Sequence, residues 1–349
     1  MKNAEKYMYR CLELARLGMG EVAPNPMVGA VIVHEGTIIG EGYHREFGGP
    51  HAEVNAINAV KTRELLRSST LYVSLEPCAH FGKTPPCSDL IVSCQIPHVV
   101  VGSVDPFAAV AGRGIERMRG AGVRVETGIL EKECMELNRR FFTFHQQKRP
   151  YVILKWAQTL DGFLDVDRSC PEMSGKPTWI SNALSRRVVH RQRTEEAAIL
   201  VGTNTVLKDN PSLTVREWSG RQPVRLVLDR QNRLPEGLHV KDGKAPTVIF
   251  TAQPVPSRPN LEFVRLDFQD DVIDQIRQYL YNAGLQSVVV EGGQQLLQSF
   301  IDRNAWDEAY VYVGKCWFGK GVRAPHLDCQ PRQTEMLHDT QLLCFYRSR

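Results

Sequence analysis

The sequence has no apolar run close to the ~20 residues that a helix needs to cross a bilayer. Its N-terminal segment is charged throughout and lacks the apolar core of a signal peptide. From these two absences we expect no membrane partner and a cytoplasmic location. Met8, Cys11, Leu12 and Ala15 instead fall on one stripe, which predicts an amphipathic N-terminal helix.

The nine cysteines do not show the spacing of a disulfide framework, which favours reduced thiols in a cytosolic protein. A net charge of +4 spread over 349 residues gives no electrostatic case for binding nucleic acid. There is no internal repeat, no low-complexity tract and no G-x-G-x-x-G dinucleotide fingerprint. The length exceeds one ordinary core and fits two domains.

Two successive series of alternating strand and helix patterns are present, which is typical of α/β domains. In the first series, 28–33 and 37–43 form a predicted hairpin around Glu35-Gly36, and further strands follow at TLYVSL, HVVVGSV and VRVETG. In the second, strands are predicted at YVILKW, AAILVG, PVRLVLD, PTVIFT, QSVVVEGG and DEAYVYVG. The polar segment HQQKRP, 145–150, is the predicted linker, and we expect domains at 1–146 and 147–349.

The most informative pattern joins His51 and Glu53 in GGPHAE with Cys78 and Cys87 in EPCAHFGKTPPC. Zinc deaminases that act on pyrimidine or purine rings hold Zn²⁺ with this ligand set and move protons with a nearby Glu. Catalytic zinc needs three protein ligands and an open position for water. The pattern therefore predicts His51, Cys78 and Cys87 as zinc ligands and Glu53 as the catalytic proton carrier.

Two features of this pattern need explanation. Residues two apart on a helix point roughly 200° apart, so His51 and Glu53 can serve one site only if zinc lies off the helix N-terminus. A closed structural zinc site is the alternative, with His44 or His80 as a fourth ligand. Residues 79–86 separate the cysteines, whereas the common deaminase signature is Pro-Cys-x-x-Cys.

With PNPMVG and GYH before them, these motifs resemble the deaminase half of the bifunctional riboflavin-biosynthesis deaminase–reductase family, over about residues 5–138. The wide cysteine spacing is normal in that family. The resemblance implies a cytidine-deaminase-like α/β/α domain that hydrolyses the 2-amino group of a diaminopyrimidinone carrying a phosphoribosylamino arm. The residues that would line the substrate pocket are Asn25, His44, His80, Lys83 and Asp105.

Taken alone, the Gly292-Gly293 pair after a predicted strand fits either a phosphate-binding loop or a plain tight turn. Arg193 and Arg216 suit an anionic ligand. The second half of the chain is similar to the reductase half of the same family. The segments that carry this similarity are LKWAQTLDG, TWIS, AAILVGTNTVLKDNPSLTVR and VVVEGG. That similarity implies a dihydrofolate-reductase-like fold and NADPH as the cofactor.

The same resemblance implies roles for individual residues of the second half. The NADPH contacts would be Trp179, Thr205, Asp209, Gly293, Gln294, Gln295, Leu296, Leu297, Gln298 and Ser299. The substrate would be held by Arg193, Leu213, Arg216 and Glu291, while Lys155 and Asp161 would shape the pocket where the ribosyl arm meets nicotinamide. Phe107, Pro177 and Asn210 differ from residues that are common in the family.

We therefore predict a bifunctional enzyme of riboflavin biosynthesis, with one Zn²⁺ per chain, NADPH and small-molecule substrates. One alternative is a nucleotide or RNA deaminase with an accessory C-terminal domain, which would need a basic groove and stacking aromatics. Another is a zinc-stabilised binding module without turnover. Homo-oligomer formation and the preference between NADPH and NADH stay open.

Overall fold

The structure, a computed structural model, describes residues 2–79, 81, 85–107, 111–168 and 178–347. The chain divides into two compact units, Met1–Lys148 and Arg149–Arg349. In the part of the chain that is described, no helix combines the length and the apolar character needed to cross a membrane. Lys83, His80 and Pro177 lie outside the described residues.

The first unit is built on a five-stranded sheet in the order β2-β1-β3-β4-β5. Its elements are α1 (Lys2–Arg16), β1 (Gly29–His34), β2 (Thr37–Tyr43), α2 (Ala52–Ala59), β3 (Thr70–Leu75), α3 (Cys87–Ser93), β4 (His98–Ser103), α4 (Arg113–Gly120), β5 (Arg124–Thr127), α5 (Glu131–Leu137) and α6 (Arg139–Gln147), with a 3-10 helix at Arg63–Ser68. β1 is antiparallel to β2 and β3, whereas β3, β4 and β5 run parallel.

Helices cover both faces of this sheet. The predicted stripe of α1 is fully buried against Val31 and Val33 of β1, which confirms the N-terminal helix. Gly29 allows this close approach, because a Cβ there would lie 2.0 Å from the carbonyl oxygen of Cys11. Ala30 and Ile32 point to the opposite face, where α2, α3 and α4 pack. The result is a three-layer α/β/α unit.

The predicted linker, 145–150, contains the boundary between the two units at Lys148 and Arg149, and its first three residues form the end of α6. Phe141, Phe142 and Phe144 on that helix are buried. The ring of His145 packs edge-on against Phe141, with 4.4 Å between the ring centroids. These aromatic contacts extend the helix through a segment whose composition is polar.

The second unit contains a nine-stranded sheet in the order β11-β10-β9-β8-β12-β6-β13-β16-β15. Its elements are β6 (Tyr151–Thr159), β7 (Phe163–Asp165), α7 (Ala183–Glu195), β8 (Ala198–Gly202), α8 (Thr203–Asp209), β9 (Val224–Leu228), β10 (Thr247–Thr251), β11 (Leu261–Arg265), α9 (Val272–Asn282), β12 (Ser287–Glu291), α10 (Gln294–Asp302), β13 (Glu308–Gly314), β14 (Val322–Arg323), β15 (Gln333–Leu337) and β16 (Thr340–Tyr346), with a 3-10 helix at His239–Lys241. The six predicted strands are confirmed.

The strands from β11 to β13 are parallel, and β16 and β15 continue the sheet antiparallel. Parallel strands are covered on both faces, which explains apolar runs such as Ser287–Glu291, all of whose residues are buried. β8, β9 and β12 end at Gly202, Leu228 and Glu291, at the same edge of the sheet. Ligands of open α/β sheets bind beyond this carboxyl edge.

Candidate active sites

Three predicted zinc ligands meet at one point of the first unit. The ligand atoms of His51, Cys78 and Cys87 all lie within 4.8 Å of one another. The Nδ1 atom of His51 is 3.6 Å from the Sγ of Cys78 and 3.3 Å from the Sγ of Cys87. A histidine and two cysteines distant in the chain therefore form a compact donor set.

Two helix N-termini and a loop position these donors. His51 is the residue that precedes α2, and Cys87 is the first residue of α3. Cys78 lies in the loop after β3, where its carbonyl oxygen accepts hydrogen bonds from the N–H and the hydroxyl of Ser88. The N–H of Cys87 donates to the Sγ of Cys78 at 3.3 Å. This geometry places the cluster off the start of α2, as the helical spacing of His51 and Glu53 predicts.

Hydrogen bonding between the donors gives the two cysteines very different acidities. The hydrogen bonds with Cys87 and with His51 lower the pKa of Cys78 to about 4, although burial opposes them. The hydrogen bond between the two cysteines raises the pKa of Cys87 well above its usual value. The hydrogen bond with Cys78 raises the pKa of His51 to about 9. Cys78 is therefore the more acidic of the two cysteines, and His51 next to it stabilises its thiolate.

The donor set fits zinc. Zinc–sulfur bonds of about 2.3 Å and zinc–nitrogen bonds of about 2.0 Å at tetrahedral angles require sulfur–nitrogen separations of about 3.5 Å. The two observed separations are 3.6 and 3.3 Å. His51, Cys78 and Cys87 would hold the ion, and two thiolates would balance its charge.

His44 is not part of the donor set. Its Nδ1 lies 3.0 Å from the carbonyl oxygen of Pro50, to which it can donate, and its Nε2 lies 3.1 Å from the amide nitrogen of Asn25. Both ring nitrogens of this buried histidine are therefore occupied. A closed zinc site with His44 as fourth ligand is not supported, and His80 lies outside the described residues.

Glu53 is buried beside the cluster, with 3% of its surface exposed. Burial raises the pKa of its carboxyl group to about 7, although the neighbouring His51 opposes this effect. A carboxyl group with this pKa can both accept and donate a proton near neutral pH. The first unit therefore brings together a metal donor set and a proton carrier.

Asp105 is also buried, in the loop after β4. Its carboxylate accepts the N–H of Phe107 at 2.8 Å, and burial raises its pKa to about 6. Phe107, which differs from the family pattern, packs edge-on against His145 with 5.2 Å between ring centroids. Asp105 and the Asn25–His44 pair are the described members of the predicted substrate pocket.

The sequence analysis missed Glu76, which immediately precedes Pro77-Cys78. Its buried carboxylate accepts four backbone N–H groups, from Asp105, Gly112, Gly114 and Ile115, at 2.9 to 3.3 Å. Glu76 therefore ties the metal-ligand loop to the start of α4 and to the Asp105 loop. A charged residue at the end of an otherwise apolar strand was the available signal.

The second unit contains a cavity of about 730 Å³ at the carboxyl edge of its sheet. This volume lies within the usual range for small-molecule sites. The lining comes from the starts of α8 and α10 and from residues that follow β7, β9 and β11. Among the predicted NADPH contacts, the cavity is lined by Thr205, Asp209, Gly293, Gln294, Gln295, Leu296 and Ser299.

Three predicted NADPH contacts lie outside this lining. Leu297 is fully buried in the hydrophobic core, on the inner face of α10. The amide of Gln298 donates to the carboxylate of Asp302 at 2.8 Å. Trp179 is 62% exposed and has the guanidinium of Arg186 4.7 Å from its ring centroid. Their roles toward NADPH remain predictions.

The glycine pair forms a narrow cradle in the cavity wall. Gly292 has φ +84°, and a Cβ there would lie 2.7 Å from the Oγ1 of Thr205. Gly293, with φ +48°, precedes the first turn of α10. Free N–H groups at a helix start, reached through glycines, suit a phosphate group. The cavity and this cradle fit a dinucleotide.

A buried ion cluster joins three predicted substrate residues at the end of β12. The guanidinium of Arg193 donates to both carboxylate oxygens of Glu291, at 2.8 and 3.2 Å. Lys155, which pairs with Glu291 across neighbouring strands, has its Nζ 3.8 Å from that carboxylate. Burial raises the pKa of Glu291, but Arg193 and Lys155 outweigh it and leave the pKa at about 2.

The 213–216 segment lies beside this cluster, because Arg193 also donates to the carbonyl oxygen of Thr214. Leu213 is buried in the core with φ +54°, and Arg216 is exposed. The Asp161 carboxylate accepts the N–H groups of Phe318 and Gly319. The structure thus brings Arg193, Leu213 and Glu291 into one region. Asp161 instead holds the loop at Phe318 and Gly319 through its two hydrogen bonds.

Arg168, which the sequence analysis did not single out, holds Asp209 in the cavity wall. Its side chain is 7% exposed and lies between the carboxylates of Asp165 and Asp209, at 2.8 and 2.9 Å. Asn210, where the family often has Asp, ends α8 in a left-handed conformation and accepts the N–H of His239 through its side chain. Asn tolerates that conformation well.

Comparison with known proteins covers both units. Residues 1–103 match the cytidine and deoxycytidylate deaminase zinc-binding region, and residues 150–341 match the RibD C-terminal domain. The riboflavin biosynthesis protein RibD of Aquifex aeolicus is 41% identical over 323 residues, which cover 91% of this chain and 88% of that protein. The chain belongs to the RibD family. The RibD protein of Bacillus amyloliquefaciens is 40% identical, covering 93% and 87% of the two chains.

Solved structures agree with this membership. The crystal structure of a diaminohydroxyphosphoribosylaminopyrimidine deaminase/5-amino-6-(5-phosphoribosylamino)uracil reductase from Thermotoga maritima is 39% identical, with a TM-score of 0.88 and 99% of each chain covered. The predicted fold class is confirmed as a cytidine-deaminase-like unit followed by a dihydrofolate-reductase-like unit. The prediction of a bifunctional enzyme of riboflavin biosynthesis with zinc and NADPH as cofactors is also confirmed. An accessory role for the second half is not supported.

Proposed function

We propose that this chain catalyses two successive reactions on one phosphoribosylaminopyrimidine. The deaminase unit removes the 2-amino group of 2,5-diamino-6-(5-phosphoribosylamino)pyrimidin-4-one as ammonia. The reductase unit then reduces the ribosyl arm of the resulting 5-amino-6-(5-phosphoribosylamino)uracil to ribityl with NADPH. The observation that carries this proposal is the His51–Cys78–Cys87 donor set beside buried Glu53, in a chain that also holds a dinucleotide-sized cavity.

In the deaminase unit, bound zinc supplies a water molecule of lowered pKa at neutral pH. Glu53 takes a proton from the attacking water and gives it to the departing nitrogen. The ring carbon thus exchanges its amino group for oxygen, and ammonia leaves. Because Glu53 is buried, its proton is transferred to the substrate and not to bulk water.

We assign substrate binding in this unit to Asn25, His44 and Asp105, together with His80 and Lys83. Burial lowers the pKa of His44, so its imidazole is neutral. A neutral His44 that donates to the Pro50 carbonyl can accept from the Asn25 amide, which fixes that amide's orientation. Glu76 holds the Asp105 loop in place through the N–H of Asp105.

In the reductase unit, NADPH supplies a hydride to the sugar carbon. The Gly292-Gly293 cradle and the start of α10 would hold its pyrophosphate, while Thr205 and Asp209 line the same cavity. Glu291 keeps a negative charge at the edge of the sheet, where Lys155 and Arg193 neutralise it. Since Arg193 already donates to Glu291, exposed Arg216 is better placed to bind the substrate phosphate.

The test follows ammonia, NADPH and product mass when purified protein is incubated with the diaminopyrimidinone phosphate. We expect ammonia release without NADPH, and NADPH oxidation only after deamination. Cys87→Ser should lose both bound zinc and ammonia release, yet still oxidise NADPH on the deaminated substrate, because Cys87 belongs to the first unit alone. Zinc content is measured by metal analysis of the purified protein.

Cys94→Ser is the matched control. Cys94 is a free cysteine that directly follows α3, and it is not part of the donor set. It should keep zinc and both activities. Ammonia release by Cys87→Ser at the wild-type rate would contradict the deaminase assignment. NADPH oxidation by wild-type protein on the substrate that still carries its 2-amino group would contradict the proposed order of reactions.

A further inference from the structure

The basic side chains of α7 are divided between a contact face and an exposed face. Arg186, His190 and Arg193 follow one another at intervals of four and three residues, which bring side chains to the same side of a helix. All three contact the segment 213–217, whereas Arg187 is exposed. One face of α7 therefore holds a loop of the reductase unit.

The 213–217 segment depends on such contacts because it belongs to no sheet or helix. Residues 210–223, all of which the structure describes, connect α8 to β9 without a helix or strand. Leu213 is buried in the core at φ +54°, a conformation that a leucine keeps only when the surrounding packing imposes it. The backbone polar groups that follow Leu213 find their partners among side chains.

Two side chains hold the backbone just before Arg216. Arg193 donates to the carbonyl oxygen of Thr214 at 3.2 Å. The side-chain amide of Gln222 accepts the N–H of Val215 at 2.7 Å and donates to the carbonyl oxygen of the same residue at 3.1 Å. The chain therefore reaches Arg216 along a backbone path that side chains fix.

His190 holds the backbone of Arg216 itself. The histidine is 5% exposed, and its Nδ1 accepts the N–H of Arg216 at 3.0 Å, so the proton of the neutral ring is on Nε2. Burial lowers the pKa of His190, and the cations Arg193 and Arg216 lower it further, against the opposing carboxylates of Glu217 and Glu291. The imidazole is therefore neutral at pH 7 and keeps its acceptor.

The side chain of Arg216 is exposed although its backbone is held. Its guanidinium donates to the hydroxyl of Ser212 at 3.1 Å. A neutral hydroxyl leaves the positive charge of the guanidinium for an anionic ligand. An arginine loses rotamer freedom when it binds a phosphate, and a fixed backbone keeps that entropic cost low. These contacts suit a preorganised phosphate ligand.

We propose that His190 and Gln222 are positioning residues, which hold the backbone at Arg216 so that its guanidinium faces the phosphate of the substrate. The proposal rests on the proposed reductase function, in which Arg216 binds that phosphate. The segment then presents one positive charge at a fixed place, next to the Arg193–Glu291 pair at the carboxyl edge of the sheet. His190 and Gln222 act through Arg216 and not on the reacting atoms.

The test measures steady-state reduction of 5-amino-6-(5-phosphoribosylamino)uracil by the full-length protein at neutral pH with saturating NADPH. His190→Leu removes the acceptor and should raise the KM for this substrate about tenfold, as expected for the loss of one buried hydrogen bond. The kcat should stay within about twofold, because the lost interaction serves binding and not the chemical step. His190→Asn, whose side-chain oxygen can take the place of Nδ1, should return the KM to within about threefold of wild type.

Gln222→Ala is the second variant, since Gln222 is exposed and its truncation leaves the core intact. It should raise the same KM about threefold, with the KM for NADPH unchanged. In protein that already carries Arg216→Ala, neither His190→Leu nor Gln222→Ala should raise the KM further. This lack of additivity is expected because all three changes remove one interaction with the phosphate.

Arg187→Leu on α7 and Gln278→Ala on α9 are the controls, since both residues are exposed outside the segment. Both should keep the wild-type KM. The proposal is overturned if His190→Leu and Gln222→Ala leave the KM unchanged, or if their effects add in full to that of Arg216→Ala. An unchanged KM in Arg216→Ala would refute Arg216 as the phosphate ligand and the positioning role with it. Wild-type protein that never reduces this substrate would refute the reductase function itself.

Discussion

Glu53 in the first unit and Glu291 in the second are both buried at their sites, yet the pKa values of their carboxyl groups lie on opposite sides of the ordinary value. Glu53 is 3% exposed and Glu291 is 8% exposed. Burial raises the pKa of Glu53 to about 7. Burial also acts on Glu291, but Arg193 and Lys155 overcome it and set the pKa at about 2. Burial raises the pKa of both carboxyl groups, and the neighbouring cations decide whether that effect prevails.

This contrast separates the two kinds of chemistry. A group that titrates near neutral pH can move a proton, which hydrolytic deamination requires. A permanent carboxylate held by two cations cannot take up a proton at neutral pH, so Glu291 serves to fix Arg193 and Lys155 in place. Hydride transfer depends on this kind of positioning more than on acid–base groups.

The largest expected effect comes from Glu53→Gln, which keeps the shape and removes the proton carrier. Loss of general acid–base catalysis predicts a fall in ammonia release of about 10²- to 10⁴-fold. Zinc content should stay at the wild-type level, because the three donors are untouched. NADPH oxidation on the deaminated substrate should also be unchanged, since Glu53 belongs to the first unit.

Glu64→Gln makes the same chemical change at an exposed position of the 3-10 helix in this unit. It should leave deamination at the wild-type rate. Deamination by Glu53→Gln within a few-fold of wild type would refute the assigned role. Loss of zinc from that variant would show instead that Glu53 stabilises the metal site.

The next effect is on stability and follows from Glu291→Gln. Removing one partner of a buried ion cluster leaves Arg193 and Lys155 without their counter-charge, which costs about 3 kcal/mol of unfolding free energy at pH 7. Glu236→Gln is the surface control, because Glu236 also meets two cations, Lys241 and Arg258, but its side chain is 67% exposed. Exposed ion pairs contribute about 1 kcal/mol or less.

The pH dependence of this difference has a definite sign. The pKa of Glu291 falls from an ordinary value of 4.5 to about 2 on folding. Its contribution is therefore complete above pH 4.5 and is lost as the pH falls toward 2. Urea unfolding at pH 7, 5 and 4 should show a gap between wild type and Glu291→Gln that narrows only below 4.5. A gap that widens with acid would contradict the ion cluster.

The deaminase site could be predicted from sequence because its chemistry depends on a few side chains of distinctive type. His51, Cys78 and Cys87 are recognisable as metal ligands wherever they stand, and the position of His51 before α2 follows from helical geometry. Glu76 was missed, since a single buried acid that binds backbone N–H groups has no spacing pattern. Its partners lie in the loop after β4 and around the start of α4, which only the folded chain brings together.

The reductase site could be predicted only by resemblance. Its cavity is defined by strand ends far apart in the chain, and much of its lining is loop backbone. Arg168 was not predicted, because only the fold places it beside Asp209 in the cavity wall. β15 was likewise not predicted, because four of its five residues are exposed at the edge of the sheet and show no alternation.

The smallest expected effect tests the glycine cradle of the reductase cavity. Gly292→Ala places a Cβ 2.7 Å from the Oγ1 of Thr205 at φ +84°, so the cavity wall must shift. We expect NADPH to bind about tenfold more weakly, equal to about 1.4 kcal/mol. Gly284→Ala is matched, with φ +70° and no atom within 4 Å of the added Cβ. Gly284→Ala also puts a side chain on a left-handed residue, which lowers the free energy of unfolding by about 1–2 kcal/mol, but it does not touch the cavity. Equal weakening of NADPH binding by both variants would mean that global strain, and not the cradle, sets affinity.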